Sequence, residues 1–120
     1  MSRTLIIKLA SGSEAPERVS QAFSVASIAL ASGVKVSFWL TGEASWFALP
    51  DKAEKFELAH APSIADALIY LIADGQVTLC TQCALRRDIK DGEQISGIRI
   101  AGAAVFVEEI TAESAQALVY

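Results

Sequence analysis

The chain has 120 residues, a net charge of −4 at neutral pH, and 52% apolar against 20% charged residues. That length fits one domain with a core of its own, and the composition excludes disorder, which needs low hydrophobicity and high charge. The acidic balance, with no basic run longer than Arg86-Arg87, argues against nucleic acid or an anionic membrane surface as partner, since both are bound through clustered Lys and Arg.

With glycine counted, the apolar share reaches about 58%, above the roughly 45–50% of ordinary soluble domains. Alanine accounts for 21 of the 120 residues, which discounts the excess. What remains points to a subunit interface, with Trp39, Trp46 and Phe106 as its large side chains. No apolar run approaches the ~20 residues that span a bilayer. The stretch from Met1 to Ala10 is interrupted by Lys8 and does not resemble a signal peptide. A cytoplasmic chain with two reduced cysteines is therefore expected.

Thr4 to Leu9 is β-branched and aliphatic, the pattern of a buried strand. Ser11-Gly12-Ser13 follows, with backbone N–H groups that could face an anion but more simply turn the chain into a helix. Apolar residues from Val19 to Leu30 recur at three- and four-residue spacing, predicting a helix from Ala15 to Ser32 that stops at Gly33. Val34 to Leu40 alternates as a strand, and Lys35 suggests a place near a sheet edge. Glu43 to Leu49 reads as a short helix, and Asp51 to Pro62 as a surface loop holding the lone histidine, His60. Ser63 to Asp66 resembles a capping box opening a helix to Ala73, stopped by Gly75. Gln76 to Cys80 is a third strand, Thr81 to Ile89 a helix, Ile98 to Ile100 a strand, Ala103 to Ile110 a helix, and Ala117 to Tyr120 a last strand. Strands alternating with helices predict an α/β fold with a largely parallel sheet. In such sheets, function collects at the carboxyl ends of the strands.

Both cysteines lie at one such end, in Cys80-Thr81-Gln82-Cys83. A cysteine at a helix N-terminus sits near free N–H groups, which favour the thiolate, so Cys80 is the expected reactive thiol, supported by Arg86 and Arg87. A C-x-x-C pair is compatible with a redox dithiol, half a metal site, a reactive thiol with a bystander, or simple burial. No further paired ligands complete a metal site, so no metal and no cofactor are expected. Gly12 and Ser13 after the first strand, Glu43 and Trp46 after the second, and Gln82 and Arg86 beside the cysteines are the candidate binding residues. Glu43, Trp46 and Phe47 could wall a pocket around the thiol.

Three segments resemble the DsrE/TusD-like (YchN-like) small sulfur-relay family: the strand Gln76-Val77-Thr78-Leu79-Cys80; the following Ala84-Leu85-Arg86-Arg87, with Leu85 five residues after Cys80; and the ending from Gly97-Ile98-Arg99-Ile100-Ala101-Gly102-Ala103 through a helix and a final strand. The resemblance spans the whole chain as one domain. It implies a three-layer α/β/α fold with a sheet of about five strands, and assembly into homo-oligomeric trimers or hexamers, or with sister subunits. It also implies a sulfur-carrying cysteine at Cys80, with donor and acceptor proteins or small persulfides as partners. Cys83 has no counterpart in the TusD-type segment, where a small apolar residue is usual. The leading expectation is thus a sulfurtransferase-like carrier with a Cys80 persulfide. The alternatives are thiol–disulfide chemistry at Cys80 and Cys83, redox-sensing or peroxiredoxin-like, and a non-catalytic assembly subunit of the same fold.

Overall fold

A computed structural model describes residues 3–120. Five strands form one sheet: β1 (Thr4–Leu9), β2 (Lys35–Leu40), β3 (Gln76–Cys80), β4 (Arg99–Ala101) and β5 (Ala115–Val119). They lie in the order β4-β3-β2-β1-β5, and every pairing is parallel. The helices are α1 (Pro16–Ala31), α2 (Ile64–Asp74), α3 (Thr81–Arg86) and α4 (Ala103–Ile110), with a 3-10 helix over Gly42–Ala48. The three-layer α/β/α architecture expected from the sequence is present.

The order explains the layers. The chain steps outward from β1 to β4, then returns to the far side of β1 for β5. With right-handed crossovers, that reversal moves the last connecting helix to the opposite face. On one face, Ile7, Leu9, Val36, Phe38, Leu40, Val77 and Leu79 pack against Val19, Ala22, Phe23, Ala26, Leu68 and Leu71 of α1 and α2. Alanines at 22 and 26 let α1 approach the sheet closely. Phe23 meets Phe38 at 4.7 Å between ring centroids and Phe47 edge-on at 6.2 Å.

Among the described residues, α4 is the helix that covers the other face. Trp39 is buried there, edge-on to Phe106 at 5.2 Å. Its indole Nε1 donates to Glu109 Oε1 at 3.0 Å, and Ser37 Oγ donates to the same oxygen at 2.6 Å. Arg99 pairs with Glu109 and donates from Nε to Thr78 Oγ1 at 2.7 Å. Burial alone would raise the Glu109 pKa, but the donors from Ser37, Trp39 and Arg99 outweigh it and hold the carboxyl below its ordinary range. Trp39 is therefore core, not the interface side chain expected from composition. Phe106 is half-buried against it, and Trp46 remains exposed.

Lys35 predicts a place near a sheet edge for β2. The strand lies instead at the centre, between β1 and β3. Lys35 is the first residue of the strand and is exposed at its amino end, so its charge reports the end of a strand and not the edge of the sheet. The other boundaries moved slightly. The third helix ends at Arg86 rather than Ile89, β4 shifts by one residue, and β5 begins at Ala115. Ser63 caps α2 as expected, its side chain accepting from the Asp66 N–H at 3.1 Å. His60 lies on an exposed turn.

Candidate functional site

Parallel pairing sets the carboxyl ends of β1, β2 and β3 side by side: Leu9 is level with Leu40, and Leu40 with Leu79. Three loops therefore converge. Thr41 ties the second to the first, donating to the Leu9 carbonyl from its backbone N–H at 2.9 Å and its hydroxyl at 3.0 Å. Gly42 then takes φ +50°, and a Cβ there would lie 2.6 Å from the Ala10 carbonyl oxygen. Only glycine fits this turn without strain. The turn aims the Gly42 N–H at the Cys83 sulfur, 3.2 Å away.

Cys80 ends β3 half-buried, and Cys83, one turn into α3, is buried. Burial raises the Cys80 pKa. The hydrogen bond and charge interaction with Cys83 raise it further, outweighing the N–H groups of Cys83 and Gln82 that favour its thiolate. Burial also penalises a Cys83 thiolate, but the Cys80 thiol, the Gly42 N–H, the Arg87 guanidinium and the Ser45 hydroxyl together lower its pKa. The surroundings thus favour the thiolate at Cys83 over Cys80, the reverse of the order expected from the sequence. The reason is that the first turn of α3 is the main source of N–H groups for Cys80, whereas Gly42 and Ser45 of the 3-10 helix and Arg87 at the end of α3 all favour a charge on Cys83.

Arg87, not Arg86, is the basic partner. Its Nη1 donates to the Cys83 carbonyl at 3.1 Å, and its Nε and Nη2 hold Glu43 Oε2 at 3.1 and 2.8 Å. Arg86 is exposed and makes no ion pair among the described residues. Ser45 is fully buried in the 3-10 helix. Its hydroxyl is close enough to the Cys83 sulfur to favour the thiolate, yet completes no well-formed hydrogen bond.

The remaining candidates divide. The Gly12 N–H donates to Glu14 Oε1 at 2.9 Å, which fits the strand-to-helix turn favoured over an anion site and leaves this candidate binding N–H already engaged. The same glycine lets the first loop lie against the Glu43 backbone, where a Cβ would meet the carbonyl oxygen at 2.9 Å. Ser13, Glu43 and Trp46 line a cleft of about 290 Å³, together with Lys52 and Lys55. Its lining includes neither cysteine, so these residues do not wall a pocket around the thiol as expected. Gln82 is exposed on α3. Arg87 was expected only as a support for Cys80 alongside Arg86, and Gly42 and Ser45 were not singled out as site residues. The one local signal was Thr41-Gly42 at a strand end, which reads equally well as a plain terminator.

A family model described as the DsrE/DsrF-like family matches residues 4–119. The chain belongs to the DsrE/DsrF-like family. This family is associated with sulfur relay, and its proteins work in sulfur-relay complexes. Among solved structures, YchN from E. coli superposes with a TM-score of 0.67 at 16% identity, covering 98% of this chain and 100% of that one. MTH1491 from Methanobacterium thermoautotrophicum, described as a protein of unknown function, superposes with a TM-score of 0.72 at 9% identity, covering both chains fully. At these identities the two relatives speak to the fold. No curated protein matches the chain. Among the described residues, no helix is long and apolar enough to cross a membrane.

Proposed function

We propose that this DsrE-family protein carries sulfane sulfur as a persulfide on Cys80, accepting it from a donor protein or small persulfide and passing it to an acceptor. The observation that carries the reading is the Cys80–Cys83 contact at the carboxyl end of β3. Cys80 is the more accessible of the two cysteines, and the interaction between them favours a proton on Cys80 and a thiolate on Cys83. As Cys80 attacks the outer sulfur of a persulfide, Cys83 takes the Cys80 proton and passes it to the departing thiolate. The donor leaves as a thiol and Cys80 holds the extra sulfur. The step needs no metal or organic cofactor, and it supposes a reducing cytoplasm in which both thiols stay free. The cleft of Ser13, Glu43 and Trp46, with Gln82 and Arg86 on the exposed side of α3, would receive the donor.

The same reading includes a trimer or hexamer of this chain. It is supported by the edge strand β5, which carries no charged residue, and by exposed Leu85, Val107 and Val119. Sheet edges left bare in this way normally find a partner or a covering element.

The test of the carrier role is intact mass after incubation with glutathione persulfide. The Cys83→Ala chain should gain about 32 Da, one sulfur atom, and the Cys80→Ala/Cys83→Ala chain should not. No gain in the first chain, or an equal gain in the second, refutes the reading. Thiol–disulfide exchange through Cys80 and Cys83 is the second reading, favoured by the same contact between the two sulfurs.

A further inference from the structure

Cys83 holds more stabilisation than a general base requires. Its sulfur accepts from the Gly42 N–H at 3.2 Å, touches the Cys80 side chain, and faces a fully buried Ser45 hydroxyl that has no complete hydrogen bond elsewhere. Arg87 stands behind it, pinned by Glu43 and by the Cys83 carbonyl. These groups come from two chain segments, the 3-10 helix after β2 and the two ends of α3, and converge on one buried sulfur. A passive neighbour of a sulfur carrier would need none of them. A nucleophile that must persist as an anion, and an attack that expels a second sulfur anion beside it, would use all of them.

We infer, on the premise that Cys80 is the persulfide-bearing cysteine, that Cys83 discharges this persulfide reductively, so that the protein releases hydrosulfide and is left with a Cys80–Cys83 disulfide. The Cys83 thiolate attacks the Cys80 Sγ, the inner sulfur of the persulfide. The Sγ–Sγ bond forms, the bond to the outer sulfur breaks, and that sulfur leaves with the electron pair as hydrosulfide. The sulfane sulfur is reduced by two electrons while two thiol-level sulfurs are oxidised to a disulfide, so a single turnover needs no other reductant. Two equivalents of a small thiol return the pair to the dithiol. The spacing suits the product, since C-x-x-C at the start of a helix is the arrangement of thiol–disulfide oxidoreductases. The Ser45 hydroxyl is placed to donate to a sulfur anion formed at Cys83 or leaving beside it. Relay and release then compete: an acceptor that reaches Cys80 first takes the sulfur, and otherwise Cys83 sheds it as sulfide.

The test follows both sulfide and protein mass after one equivalent of glutathione persulfide is added to the reduced protein, with excess small thiol removed. Wild type should release close to one sulfide per chain and finish about 2 Da lighter than its reduced form. Cys83→Ala should release none and hold the added sulfur, although it loads more slowly. Cys83→Ser, closer in size and polarity, repeats the measurement should alanine unfold the chain, with folding checked by circular dichroism. If wild type retains the sulfur as firmly as Cys83→Ala and evolves no sulfide, the inference is overturned while the carrier reading stands. If the folded Cys83 variants take up no sulfur, the carrier reading and the inference fall together.

Discussion

The backbone N–H of Gly42 reaches the sulfur of Cys83 at 3.2 Å, joining positions 41 residues apart in the chain. The contact depends on a left-handed turn at Gly42 that brings its Cα against the Ala10 carbonyl. Gly42→Ala forces a Cβ into that carbonyl and a disfavoured φ. It should destabilise the fold by about 1–3 kcal/mol, read as a lower denaturant midpoint, and it should raise the Cys83 pKa, read from iodoacetamide alkylation against pH.

The two thiols should titrate in opposite directions from an ordinary cysteine. Cys83 should gain alkylation rate at lower pH than a free thiol, and Cys80 at higher pH. Because the shifts belong to a coupled pair, removing one partner should shift the other. Cys80→Ala should raise the Cys83 midpoint, and Arg87→Met should do the same by removing positive charge. Mass-resolved alkylation of each cysteine across pH checks both. A Cys83 midpoint unchanged in both variants contradicts the assigned causes.

Glu109 should make stability sensitive to acid. Its carboxyl is held below the ordinary range by Ser37, Trp39 and Arg99 after burial has been overcome. A carboxylate whose folded pKa is depressed stabilises the fold above its unfolded pKa, and that contribution is lost as pH falls through the folded value. Glu109→Gln should therefore lower Tm at neutral pH, by an amount matching about 1–3 kcal/mol for a charge-assisted network. It should also flatten the fall in Tm between the ordinary glutamate range and the depressed folded pKa. Thermal melts of both proteins over that range make the comparison.

The large core is expected to be sensitive to truncation. Phe23 packs on Phe38 and Phe47 and is essentially inaccessible. Phe23→Ala should cost about 3–5 kcal/mol, measured by denaturant unfolding. The free chain should also run as a trimer or larger by light scattering at micromolar concentration, and a clean monomer would remove the proposed assembly.

Local pattern carried most of the fold. The boundaries of β3 and α4, the Ser63 cap and the termination of the first helix near Gly33 all rest on interactions within a few residues, which spacing and residue type express directly. The position of β2 did not, because strand order is decided by long-range pairing and Lys35 is exposed for a different reason. The site shows the same division. The Cys80/Cys83 pair and its place at a strand end were legible. The assignment of the thiolate was not, since it depends on Gly42 and Ser45 from a distant segment. Choosing Arg87 over Arg86 depends on which of two adjacent residues turns toward Glu43, and a step of about 100° around a helix separates neighbours.

Cys80 is proposed as the sulfur-bearing residue although the surroundings favour the thiolate at Cys83. The most direct measurement locates the sulfur itself. Reduced wild type is mixed briefly with glutathione persulfide and trapped by rapid alkylation, and the peptide containing both cysteines is fragmented in the mass spectrometer. The account predicts that the early adduct, about 32 Da before the trapping group is counted, lies on Cys80. The same adduct on Cys83, or on neither cysteine, would contradict it.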